Sequence, residues 1–199
     1  MSIATLRLAS PREASIRQID FKNFTYAWDR KMEGGPAVEY TKAASCPYIW
    51  LYPLPRQHIR VVEGIHHFYE PSEDPLVRWH DPLVSVGAVT YGDLGSDSTE
   101  EAAVQLNYST GGTYNWDFLY IYTLSGGQTK LLALLGSGSR GDGGLGRVAI
   151  SDGILALDFN DPDRRNGDCC SNGYVRVRFR WQKDHFVEEG PRERGDWNV

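Results

Sequence analysis

Three carboxylates, Asp93, Asp97 and Glu101, recur at every fourth position within the stretch YGDLGSDSTEEAAVQL, with Gly95 and Thr99 between them. Like charges this close repel unless a cation or a basic group answers them. A calcium ion takes oxygen ligands offered at alternate positions of a loop, so these three residues are candidate ligands of a structural calcium. Gly95 stands where a further ligand is expected, and Ser98 where a glycine makes the bend. The expected affinity is therefore weak, about 10⁻⁴ to 10⁻³ M, the range of extracellular modules.

Aromatic side chains are the second chemical resource, with six tryptophans and eleven tyrosines. Trp50, Tyr52 and Trp79 sit near prolines in irregular segments, and Trp116 heads an aromatic strand. Rings of this kind combine apolar area with a polar tip and stack on the flat faces of sugars. Those four are candidate ligand contacts, with a carbohydrate or another extracellular molecule as candidate partner. For hydrolysis, His58, His66, His67, His80 and His185 are available as bases and Asp117, Asp158, Asp161 and Asp163 as carboxylates. No nucleophile-elbow motif accompanies them, and a glycosidase needs two carboxylates facing across a cleft.

Two further motifs carry less. Ser137 to Leu145, SGSRGDGGL, lacks the Gly-Lys-Ser/Thr that opens a phosphate-binding helix. Its Arg140-Gly141-Asp142 tripeptide reads as the tip of a solvated hairpin. Arg176, Arg178 and Arg180 fall on one face of a strand, an arrangement expected to be answered by acids on the neighbouring strand. Cys46, Cys169 and Cys170 allow one disulfide and one leftover thiol. A bridge from Cys46 to one of the adjacent pair is expected, because closing adjacent cysteines strains the peptide between them.

The elements that must position these groups are short strands. Beyond Leu83, alternating apolar segments are separated by glycine-rich turns, including Ser125-Gly126-Gly127-Gln128 and Ser151-Asp152-Gly153. That rhythm predicts an antiparallel meander with hairpin turns. Tyr174 to Gln182, YVRVRFRWQ, alternates most cleanly, with Val175, Val177, Phe179 and Trp181 facing a core. Ser15 to Trp28 is expected to hold an early strand or pair of strands, and helix to be limited to a turn or two between 29 and 57 or near Glu100. The expected fold is all-β, a sandwich or incomplete barrel in one domain over 1–199. Residues 1–15 and 188–199 are expected as flexible ends.

Charge is mild, -5 with 21 basic against 26 acidic residues, and mixed along the chain, which argues against a duplex nucleic-acid partner. No run of about 18 apolar residues suits a membrane span. The start lacks the pattern of an export signal, so an exported protein would have lost it before this sequence begins.

The loop with Glu101-Ala102-Ala103-Val104 resembles the calcium loops of VCBS-type and integrin-type repeats in secreted bacterial proteins. With Gly111-Gly112-Thr113, the aromatic stretch Trp116 to Tyr122, Gly143-Gly144-Leu145 and the final stretch Tyr174 to Trp181, the order is similar to exported proteins of the LppP/LprE lipoprotein type. The resemblance covers about residues 84 to 187. It implies a secreted, periplasmic or cell-surface location and no settled activity; the expected function is that of a non-catalytic exported binding or structural module of bacterial type. A carbohydrate-active or other hydrolase using paired carboxylates is the alternative.

Overall fold

The computed structural model describes residues 15–34, 48–69, 81–141, 143–167 and 170–197. The strands are β1 (Thr25–Trp28), β2 (Ile49–Leu51), β3 (Gln57–Arg60), β4 (Ile65–His67), β5 (Leu83–Gly92), β6 (Glu101–Ser109), β7 (Asn115–Ser125) and β8 (Gln128–Ser137). They continue with β9 (Leu145–Ser151), β10 (Ile154–Asn160), β11 (Arg165–Asn166), β12 (Cys170–Ser171), β13 (Gly173–Gln182), β14 (His185–Glu188) and β15 (Glu193–Asp196). Every pairing between these described strands is antiparallel. The architecture is all-β, and none of the sheets among the described residues closes into a barrel.

A six-stranded sheet, ordered β2-β8-β7-β6-β5-β4, forms the middle layer. One face packs on a five-stranded sheet of β14-β13-β10-β9, with β15 also paired to β13. There Ala103, Leu119, Ile121 and Leu135 meet Leu155, Leu157, Phe159, Val175, Val177 and Phe179. The other face is covered by the small β1-β3 sheet and the chain before it, where Tyr26, Trp28 and Phe21 meet Val104, Leu106, Phe118, Tyr120 and Tyr122. A sheet covered on both faces needs apolar residues at successive positions. Phe118 to Tyr122 is such a run, buried throughout.

The hairpins follow from turn chemistry. Gly126 and Gly127 join β7 to β8 at φ 59° and 78°, the left-handed pair that a two-residue turn needs to match the strand twist. Ser15 to Asn23 departs from the expected strand and forms two 3-10 turns, Ile16–Gln18 and Phe21–Asn23. The Ser15 and Asp20 side chains accept the backbone N–H groups of Arg17 and Lys22, and those local caps outcompete sheet pairing. A third 3-10 segment, Arg30–Gly34, lies within the region expected to hold a helical turn.

The C-terminal segment expected as a flexible tail is a correction. From Glu193 it returns as β15 along β13, with Gly173 to Arg176 opposite Asp196 to Glu193. Trp197 then packs 5.0 Å from the Tyr174 ring and donates to Asn160 Oδ1 at 3.0 Å. The expected N-terminal segment lies almost wholly outside the described residues.

Candidate functional site

At one end of the middle sheet, β1, β3, the Arg30–Gly34 turn and the chain leaving β4 enclose a cleft of about 290 Å³. Trp28, Phe68, Tyr69 and Ile59 supply its apolar surface, and Arg30, Glu33, Gln57 and His58 its polar edge. The β1-β3 register sets Trp28 opposite Gln57. The 3-10 turn after β1, started by Asp29 accepting the Lys31 N–H at 2.9 Å, swings Glu33 back so that it accepts from Trp28 Nε1 at 3.5 Å.

The rings form a connected wall. Trp28 lies 5.7 Å from Phe68, 5.8 Å from Tyr108 and 5.4 Å from Phe118. Tyr108 is buried against this wall. Burial, and after it the charge of Glu33, pushes its phenol up to about 12. Most of these rings are spent on packing, whereas Tyr69 is 61% exposed and free to stack on a ligand.

The structure sorts the aromatic candidates named from sequence. Tyr52 is corrected: it is 3% exposed and packs edge-on to Phe118 at 5.6 Å, so it presents no face to solvent. Alternation continues past β2, which turns Tyr52 inward with Trp50. Trp50 and Trp116 are partly buried against the same core, and Trp116 stacks on the exposed Tyr114 at 6.0 Å. Trp79 lies outside the described residues.

The acidic loop is organised by backbone amides. Asp93 accepts from the N–H groups of Asp97 and Ser98 at 3.2 and 2.7 Å, and Asp97 accepts from Thr99 at 2.8 Å. Glu101 is 5% exposed and accepts from the Leu94 N–H and the Thr123 hydroxyl. Burial, together with the nearby charges of Asp97 and Asp93, raises its pKa. Among the described residues no three His, Cys, Asp or Glu side chains form a group that could hold a metal. The bonds that shape this loop are those of a capped turn.

Other candidates resolve into structural roles. Arg176 bonds Asp158 on β10 through two contacts, 2.6 and 2.8 Å. Arg178 pairs with Glu193 on β15, and Arg180 with Glu189, so the expected acids do face the arginine row. Asp117 is buried and accepts from Gln105, Asn107 and the Leu145 N–H, which ties the start of β9 to the middle sheet. Its pKa is raised by burial. His66 donates to the Arg60 carbonyl, and His185 Nδ1 lies 3.0 Å from Asp184 Oδ1. Cys170 is disulfide-bonded, while Cys46 and Cys169 lie outside the described residues.

These features define an open β-sandwich with a two-stranded flap, and a small aromatic cleft beneath the flap's end. No protein-family model, curated protein or solved structure matches the chain. Of the described cleft residues, His58 alone stands out in the sequence as a functional candidate, and there as a base. The available signal was Trp28-Asp29-Arg30, an aromatic strand end running into charged residues. No helix among the described residues is long and apolar enough to cross a membrane.

Proposed function

We propose that the protein is a non-catalytic, exported binding module whose ligand, a carbohydrate, seats in the cleft beside Trp28, Phe68 and Tyr69. The observation that carries this reading is one exposed ring, Tyr69, beside planar hydrogen-bonding groups on Arg30, Glu33, Gln57 and His58. An apolar face with a few convergent polar groups is the general character of a small-ligand site, and about 290 Å³ is at the small end of the size range. A hydrolase would need a second carboxylate across the cleft, and Glu33 is the one carboxylate among its described lining residues.

Titration calorimetry against a saccharide panel tests the reading. At least one sugar should bind, and Tyr69→Ala should weaken it about tenfold, corresponding to roughly 1.4 kcal/mol, without unfolding the protein, because the ring is exposed. Sugar binding that ignores Tyr69→Ala would refute the site. Hydrolysis of a bound glycan would favour the enzyme.

Export draws on the disulfide at Cys170, since such bonds persist in oxidising compartments. Cys46 is the proposed partner. A Cβ on Gly141 would come within 2.9 Å of the Cys170 backbone, and one on Gly143 within 3.3 Å of the Tyr48 ring. One short loop thus touches both Cys170 and the residue two positions after Cys46. Non-reducing peptide mapping should recover a Cys46–Cys170 peptide; a Cys169–Cys170 bridge would overturn the assignment.

A further inference from the structure

The cleft contains a carboxylate, Glu33, that the described residues leave largely unanswered. Resting on the saccharide reading, we infer that the ligand is an amino sugar, held by its protonated amine against Glu33. A carboxylate offers about four acceptor positions, and Glu33 spends one, on the long 3.5 Å bond from Trp28 Nε1. It forms no ion pair with Arg30, although both line the same cleft.

Placement decides which of the two charges selects the ligand. Arg30 is exposed on the rim, where water and salt screen it. Glu33 is half-buried beside Trp28, where a charge interacts more strongly. A neutral hydroxyl would fill one of its open positions, but an ammonium makes a charge-assisted bond roughly twice as strong. The rings act in the same direction. Trp28 is buried and offers only its edge, but the exposed face of Tyr69 attracts a cation, and an open ring beside a carboxylate suits an ammonium. The bound form is a sugar ring on Tyr69 with its amine directed to Glu33.

Three sugars of one shape separate charge from stacking: glucosamine, glucose and N-acetylglucosamine. Each is titrated into the full chain at about pH 7, where an amine with a pKa of about 7.7–8.0 is mostly protonated. Glucosamine should bind at least about tenfold more tightly than the other two, an increment of roughly 1.4 kcal/mol. Glu33→Gln should remove that preference. Arg30→Gln, on the exposed rim, should strengthen glucosamine binding and supplies a second readout if Glu33→Gln fails to fold. Equal binding of all three sugars, or a preference that survives Glu33→Gln, overturns this inference and leaves the saccharide site standing. Binding of none of the three also overturns this inference, and the saccharide site itself falls only if every sugar of the wider panel fails as well.

Discussion

Arg176→Ala is expected to destabilise the protein by about 3 kcal/mol, in line with the loss of one partner from a buried ion pair. Its partner Asp158 is 2% exposed in the outer face of the five-stranded sheet, and the pair is bidentate. Removing the guanidinium strands a carboxylate that has already lost its water. Arg176 itself is 31% exposed, so some water can enter after truncation, which puts the cost at the low end of the range for such pairs. In a chain of this length each kcal/mol moves the midpoint by about 2–4 °C, so a drop of about 6–12 °C should appear in a thermal melt. Replacing both partners with apolar residues should recover most of it. A single-variant loss below about 1 kcal/mol would mean that the pair is solvated like the exposed bridges of Arg178 and Arg180.

Phe118→Ala should cost about 3–5 kcal/mol, the usual penalty for emptying a large aromatic site in a core. Phe118 is 1% exposed on β7 and packs edge-on against both Trp28 and Tyr52. The middle sheet is covered on both faces, so neighbouring side chains have little freedom to collapse into the void. The consequence extends to the cleft, because Trp28 loses the ring behind it. Urea unfolding should show the lower midpoint, and sugar affinity should fall even at temperatures where the variant stays folded. Wild-type affinity in a folded Phe118→Ala protein would show that the wall behind Trp28 does not shape the site.

The strands after Leu83 were legible because alternation and glycine turns are local signals. Val175, Val177 and Phe179 were read inward against Arg176, Arg178 and Arg180, and the structure has that arrangement. Less legible was the middle layer, since Ala102 to Leu106 reads as one apolar face when both are covered. Ile16, Ile19, Phe21 and Phe24 mimicked a strand because 3-10 turns also bring spaced apolar residues onto one side. The return of Glu193 to Asp196 as β15 depends on pairing with β13 and on Glu193 meeting Arg178, neither of which charged, polar residues announce.

The cleft was the least visible feature. Its residues come from β1, the turn after it, β3 and the chain leaving β4, and only the β1-β3 register brings Trp28 to Gln57. Proline-flanked aromatics pointed instead to Trp50 and Tyr52, whose burial depends on strand β2 joining the sheet beside β8. Loop position alone did not separate a packed ring from a presented one.

Heteronuclear NMR of the ¹⁵N-labelled protein during titration with a saccharide tests the central claim most directly. The Trp28 indole N–H, which already donates to Glu33, and the amides of Gln57, His58 and Phe68 should shift together and saturate with one affinity. Shifts confined to other surfaces, such as the arginine row of β13, or a spectrum unmoved by every sugar tried, would contradict a carbohydrate site in this cleft.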